Sequence, residues 1–346
     1  KRGKVLKVAD KIKVGMDISQ VAHSGGVGIY TQNLAEHLSK IKDLEMVYFY
    51  SSLRQPYRGS LKNVKKFRLP PTLFEMLFNR WRNVQIEKFI GPVDLFHSSD
   101  WIQPPSKAKK VTTYHDVVPL KFPQWSHPKI VTVHKRRLQL VEKEVDIVIA
   151  VSESAKKDLV EVSSIPEEKI VVIYEAAGDH FKPQQIGKIK EFKKQFNLPD
   201  DFVLSIGGVG ERRNLKRVKE ATKNYSLVIA GQTVPYLPNE DLPLLYASAK
   251  ILLYPSLYEG FGLPILEAQA CGCPVITSNV SSMPEVAGEG AILVNPNSTE
   301  DIIRGIREIG EIRDKLIEKG FENVKKFSWE KVAKETAEVY GRLVNK

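Results

Sequence analysis

The chain has 346 residues, of which 42% are hydrophobic and 27% charged; this ordinary globular composition excludes a disordered or fibrous chain and suits two domains of about 150 residues each. No run of about 18 apolar residues occurs, so no membrane-spanning helix is expected, and no apolar stretch follows the basic Lys1-Arg2-Gly3-Lys4, so no signal peptide is expected. The net charge is +11, and the whole excess falls in residues 1–150, which hold 26 Lys or Arg against 13 Asp or Glu.

In chain order, short β-rich runs alternate with helical patterns. Strands are expected at Lys11–Met16, Glu45–Tyr50, Val64–Leu69, Asp94–His97, Lys110–Tyr114, Asp146–Val151 and Lys169–Tyr174. A glycine turn leads into a helix at Ile29–Leu38, and further helices are expected near 73–90, 128–144 and 153–162, the last capped by Ser152. The polar, Gly- and Pro-containing segment Gly178–Gly187 breaks this rhythm and reads as a linker. The alternation then restarts. Strands are expected at Phe202–Ile206, Leu227–Ala230, Ile251–Tyr254, Pro274–Thr277 and Ala291–Val294. Helices are expected near 214–224, 240–249, 263–271, 283–287, 298–309, 311–326 and 329–343. Ser282 with Glu285, and Asn297 with Glu300, have the spacing of helix-start caps, and Ser328 precedes the last helix. Strand–helix alternation predicts parallel sheets covered on both faces. The reading is therefore α/β: two Rossmann-like doubly wound parallel-sheet domains facing across a cleft. The domains are residues 1–177 and 188–327, joined by linker 178–187. Residues 328–346 form a C-terminal helix packing back toward the N-terminal domain. Ligands of such folds bind where the carboxyl ends of the strands meet.

The stretch Tyr254–Pro274 (YPSLYEGFGLPILEAQACGCP) carries the most chemical information. A strand ends at Tyr254, and a helix starts near Leu263 with Pro264 in its first turn. Gly260 and Gly262 flank Phe261 just before that helix, and free N–H groups at a helix start favour an anion such as phosphate. Glu259 and Glu267 are acceptors suited to sugar or ribose hydroxyls. One ligand carrying phosphate and hydroxyls accounts for both features; an ordinary strand–turn–helix with a stabilising Glu is the alternative. Both carboxylates are expected to face an open cleft. Cys271 and Cys273 stand too close in sequence for an unstrained disulfide and read as reduced fillers behind the helix. The seven histidines do not fall at metal-ligand spacing, and no Asp-x-Asp occurs, so no metal is expected.

Glu259-x7-Glu267, within YEGFGLPILEAQACGCPVI, resembles the signature of the family-4 retaining glycosyltransferases, whose fold is GT-B. The resemblance extends over most of the chain. Val27-Gly28-Ile29-Tyr30 resembles the N-terminal glycine motif, Tyr114-His115-Asp116 with Pro119 the His-Asp loop, and Ser205–Leu215 the strand and loop that hold the donor diphosphate. HDVVPLKFPQW and SNVSSMPEVAG are closest to the mannosyltransferase-like branch that builds bacterial and archaeal surface polysaccharides.

The resemblance implies roles. Glu259 orients the transferred sugar, Glu267 binds the ribose, and the amides of Gly260, Phe261, Gly262 and Leu263 hold the diphosphate. Gly25, Gly26 and Gly28 line the cleft from the other domain, and His115 lies near the reacting sugar. Arg213 takes the place of the family's diphosphate Lys, beside Gly207, with Arg212 either at the donor or facing solvent. The implied chemistry is transfer of a hexose with retained configuration and without metal, driven by stabilising the departing diphosphate. GDP-mannose is the first-choice donor, with no cofactor, and the acceptor is lipid-linked or a polysaccharide. A UDP-glucose-type donor, or a catalytically impaired sugar-nucleotide-binding relative, is the alternative. Two departures stand out: Gly208 occupies a place where many members carry Arg, and only Gln232–Asp241 separate Gly231 from the next helix, so the C-terminal domain is reduced.

The basic N-terminal half suits an anionic membrane surface, with the 73–90 stripe and Lys62–Arg68 as contributors, or simply a solvated face. A nucleic-acid-binding protein is the remote alternative, since no aromatic-basic RNA motif or recognition-helix pattern appears. The chain is read as cytoplasmic and peripheral to the membrane.

Overall fold

The computed structural model describes residues 11–22, 25–98, 100–208 and 210–345; the basic Lys1–Lys4 segment lies outside the described residues. The first sheet contains β1 (Ile12–Asp17), β2 (Leu44–Ser51), β3 (Val64–Phe67), β4 (Leu95–Ser98), β5 (Lys109–Tyr114), β6 (Ile147–Ala150) and β7 (Ile170–Val172). Their order is β3-β2-β1-β4-β5-β6-β7, and every pair is parallel. The principal helices of this half are α1 (Gly26–Leu38), α2 (Pro128–Glu144) and α3 (Glu153–Val162). The second sheet contains β8 (Val203–Ser205), β9 (Leu227–Ile229), β10 (Ile251–Tyr254), β11 (Val275–Ser278) and β12 (Ala291–Val294), in the order β12-β11-β10-β8-β9, again all parallel. Around it lie α4 (Ile186–Gln195), α5 (Leu215–Ala221), α6 (Leu242–Ser248), α7 (Leu263–Ala270), α8 (Met283–Ala287) and α9 (Thr299–Val324). The central strands β10 and β11 are buried at every position, as strands covered by helices on both faces must be.

The last helix, α10 (Trp329–Val344), leaves the second sheet and packs on α1, β1 and β5. Its buried positions Trp329, Val332, Ala333, Thr336, Val339 and Tyr340 recur at helical spacing. Trp329 meets Tyr30 of α1 edge-on at 5.6 Å, and the Tyr340 hydroxyl lies 2.6 Å from His97 Nδ1. Between β9 and α6 the described residues add one isolated bridge, from Ala230 to Val234, in keeping with the short segment read from the sequence.

Three local expectations change. Residues 73–90 are not one helix. A turn at Pro71–Phe74 runs into a π-helix at Glu75–Trp81, which stops at Arg82 in the left-handed region (φ 52°), and a separate turn follows at Glu87–Ile90. Arg82 ends the helix because its guanidinium reaches the carbonyls of Phe78 and Gln103 and the carboxylate of Glu144. Phe74 and Phe78 of the stripe pack around Phe49 in the core, leaving Trp81 (56% exposed) as the outward aromatic. Residues 298–309 and 311–326 form one helix with a kink at Ile312, capped by Ser298 rather than Asn297. Ser282 does not cap α8 with its side chain; it serves the site instead.

Candidate functional site

The loops that follow β5, β6 and β7 meet those that follow β8, β10 and β11. The tightest contact is at Gly260: a Cβ there would lie 1.7 Å from the His115 carbonyl oxygen and 2.8 Å from Asp116 Cβ. Only a residue without a side chain lets the His-Asp loop of the first domain close on the glycine turn of the second. Gly262, at φ 106°, then turns the chain into α7. The single Ser282 Oγ–H is shared between the carbonyls of Glu259 (2.9 Å) and Phe261 (2.7 Å), and the Glu259 N–H donates to Ser281 Oγ (3.1 Å). The N–H groups of Gly260, Phe261, Gly262 and Leu263 find no acceptor among the described residues. The Phe261 ring, however, is a seam residue, packed between Tyr174 and Phe327.

Polar bonds cross the seam. Ser152 Oγ accepts from the Ala155 N–H, capping α3, and donates to the Gly260 carbonyl (2.6 Å). Glu285, expected to cap its own helix, reaches across to accept from the N–H groups of Glu153 (3.1 Å) and Ser154 (3.0 Å) and from the Tyr174 hydroxyl (3.0 Å). A carboxylate at the first turn of α3 is favoured by the helix dipole as well as by these bonds. Tyr258 donates to Asp158 at 2.8 Å.

The charged groups form a chain through the cleft. Arg213 pairs with Glu259 and with the Tyr254 hydroxyl, and Arg212 lies 3.3 Å from Asp116 and 3.8 Å from Glu259. Arg212 therefore faces the other domain rather than solvent. Gly207, at φ 121°, leaves the space across which Arg213 lies, whereas Gly208 is open apart from Tyr236. Burial works against the Arg213 charge, but Tyr254 and Glu259 outweigh it and hold the group firmly protonated. Asp116 is pushed above the ordinary carboxylate range by burial, an effect that Arg212 opposes. His115 donates through Nδ1 to Glu175 Oε1 at 2.8 Å.

Glu259 and Glu267 do not face an open cleft, as the sequence suggested; they are 5% and 6% exposed. Arg213 and Tyr254 close over the first, and the Tyr246 hydroxyl donates to the second at 2.6 Å. Burial lifts the Glu267 carboxyl to about 7, against the Tyr246 hydrogen bond and with help from the charge of Glu175. Gly26 and Gly28 belong to the first turn of α1 rather than to a loop, with Gly25 at its N-cap position. Cys271 and Cys273 are free and buried. Among the described residues, His37, Asp179 and Glu330 form one group able to hold a metal ion. It lies at the far end of α1 from the glycine turn.

The family model of the Glycosyl transferases group 1 matches residues 155–326, and that of Glycosyltransferase Family 4 matches residues 24–176. The chain belongs to the family-4 glycosyltransferases. It is similar to an O-antigen chain mannosyltransferase B of Escherichia coli, at 28% identity over 72% of this chain and 74% of that one. It is also 28% identical to a serotype-specific mannosyltransferase WbdA of the same species over 68% of its length, but spans only 34% of that larger protein. Among solved structures, a sucrose-phosphate synthase from Thermosynechococcus elongatus superposes with TM-score 0.78, covering 96% of this chain and 99% of that one at 20% identity. The Anabaena protein HepE in complex with UDP and glucose gives TM-score 0.71, covering 96% and 100% at 16% identity. These likenesses show the GT-B fold.

In this glycosyltransferase the sequence reading missed Glu175, Tyr246, Tyr254, Ser281 and the cross-domain use of Ser152 and Glu285. Tyr254 ends a strand and Tyr246 lies in a helix, so each reads as core. Ser281 was visible only as part of a motif, and nothing local marks Glu175 as a partner of His115, 60 residues away.

Proposed function

We propose that this glycosyltransferase moves a hexose, mannose in the first instance, from a nucleotide-diphosphate sugar to a polysaccharide or lipid-linked acceptor, with retention of configuration. The observation that carries the reading is the seam at Gly260, which brings His115 and Asp116 against Glu259, Arg212, Arg213 and the amides of Gly260–Leu263. Two guanidinium groups and a row of unpaired amides are suited to the charge that develops on a departing diphosphate. Glu259 is suited to the hydroxyls of the sugar and Glu267 to those of the ribose. Arg213 bonds Glu259 in this structure, and a diphosphate that draws Arg213 to itself would leave Glu259 to the sugar. No step in this scheme requires a metal.

Mannose as the transferred sugar is favoured by the likeness to O-antigen mannosyltransferases, and GDP-mannose is the donor proposed with it. The acceptor belongs to the N-terminal domain. A cavity of about 240 Å³ over the ends of β1 and β2, lined by Asp17, Gln20, Phe49, Phe74 and Trp101 among others, lies on the same sheet rim as His115. No helix among the described residues is long and apolar enough to cross a membrane; peripheral contact through the basic N-terminal half suits a lipid-linked acceptor.

The test is a donor panel. GDP-mannose, UDP-glucose, ADP-glucose and the free nucleotides are screened by thermal shift, and each nucleotide-sugar is then offered with mannan oligosaccharides and followed by mass spectrometry. Stabilisation by GDP-mannose and a product heavier by one hexose are expected. Preference for a UDP sugar overturns the donor assignment, and no transfer from any donor overturns the reading.

A further inference from the structure

His115 stands at the end of β5 with its ring fixed on two sides. The edge of Tyr30 lies against it, with ring centroids 4.5 Å apart and planes at 84°. Its Nδ1 lies 2.8 Å from Glu175 Oε1, and Glu175 is only 5% exposed. A carboxylate accepts and does not donate, so Nδ1 carries the hydrogen. Nε2 is then the remaining polar atom of the ring, and it has no hydrogen-bond partner among the described residues.

Glu175 is not part of the His-Asp loop. It follows β7 in the segment that leads into the second domain, close enough to Glu267 for the two carboxylates to interact. We propose that Glu175 is a positioning residue that holds His115 as an imidazolium, with Nε2–H presented to the donor. The proposal rests on the glycosyl-transfer reading above. No bond forms or breaks at His115: its part is a charged N–H set where negative charge develops on the departing diphosphate.

The other charged and titratable groups around the ring agree. Burial alone would make the imidazole neutral, but the Glu175 hydrogen bond and charge, followed by Asp100 after β4 and Asp116 in the same loop, hold its proton above the ordinary histidine range. His97 on β4, the neighbouring imidazole, is kept neutral by burial, at about 3, and so does not compete. Tyr30 from α1 stays protonated because it is buried. Arg212 faces Asp116 and is paired there.

Glu175→Gln keeps the size of the side chain and an acceptor for Nδ1–H while removing the charge. In the full-length protein, the ¹⁵N chemical shifts of His115 are followed from pH 5 to 9, with His115→Gln supplying the assignment. Loss of an adjacent opposite charge lowers the midpoint by about 1–3 pH units. In the same variant the high-pH limb of kcat moves down with it, so that the loss of kcat is at least about tenfold greater at pH 8 than at pH 6. Glu175→Asp, which keeps the charge on a shorter arm, should recover part of both effects and guards against a folding defect in the first variant. An unchanged midpoint overturns the proposal. So does a loss of kcat equal at every pH, which marks a merely structural role. A wild-type protein that transfers no sugar defeats the glycosyl-transfer reading instead, and the titration still judges the His115–Glu175 pairing by itself.

Discussion

Gly260→Ala is the sharpest perturbation the seam allows. The added methyl would sit 1.7 Å from the His115 carbonyl oxygen, where ordinary non-bonded separation is about 3.5 Å, so a displacement of more than about 1.5 Å is needed. The obstacle is backbone, which cannot rotate away. If the fold absorbed the clash, overpacking of this kind would cost about 1–3 kcal/mol. The contact joins two domains, however, and parting them is the easier route. Parting also loosens the Ser152–Gly260 bond and the Glu285 clasp on α3. A misplacement of about 1 Å at reacting groups costs about 10²-fold in rate. The expected result is a kcat lower by about 10²-fold or more at saturating donor, a melting temperature lower by no more than about 10 °C, and a larger radius of gyration in solution scattering. Gly187→Ala is the control, since a Cβ there meets nothing within 4 Å. A Gly260→Ala protein with wild-type kcat would refute the reasoning: with wild-type scattering the seam at Gly260 is not as tight as described, and with enlarged scattering the closed seam is not the reacting state.

Other outcomes follow from the same geometry. Glu259→Gln should mainly lower kcat, by about 10²–10³-fold, whereas Glu267→Gln should mainly raise the donor KM, because ribose does not change charge during transfer; steady-state kinetics on both variants separates the two, and normal turnover by Glu259→Gln refutes its role. Glu267 titrates near 7 in the fold, above its unfolded value, so its contribution to stability is complete below the ordinary carboxylate range and fades as pH rises through about 7. Glu267→Gln should accordingly melt higher than wild type at pH 9 and lose that advantage at pH 4, as calorimetry would show. Since ribose hydroxyls need the carboxylate as acceptor, wild-type donor affinity should weaken as pH falls below about 7, and a pH-independent affinity in titration calorimetry counts against the assignment. The +11 chain should float with anionic but not zwitterionic liposomes, less so as salt rises, and equal binding to both removes the membrane proposal.

Strands such as Ile251–Tyr254 and Val275–Ser278 were legible because parallel strands covered on both faces are continuous apolar runs. The 73–90 region was not, because its periodicity is helical while Arg82 has distant partners in Gln103 and Glu144 that stop the helix. In the site, the glycine turn and its two glutamates were readable as a local motif. Their burial was not: it is produced by Arg213, Tyr254 and Tyr246, which come from other elements. Glu285 had a sensible local role as a cap, and the fold gives it a partner 132 residues away instead. Local spacing reveals which residues share a turn, and only the closing of two sheets on one another reveals what they meet.

The stereochemistry of the product tests glycosyl transfer with retention most directly. The protein, freed of divalent ions with EDTA, is incubated with GDP-α-mannose and an acceptor oligosaccharide, and the new glycosidic linkage is read by ¹H and ¹³C NMR, including its one-bond C1–H1 coupling. Transfer with the α configuration retained, undiminished by the chelator, is the predicted result. A β-linked product, or transfer that stops with EDTA and returns with Mn²⁺, would contradict it.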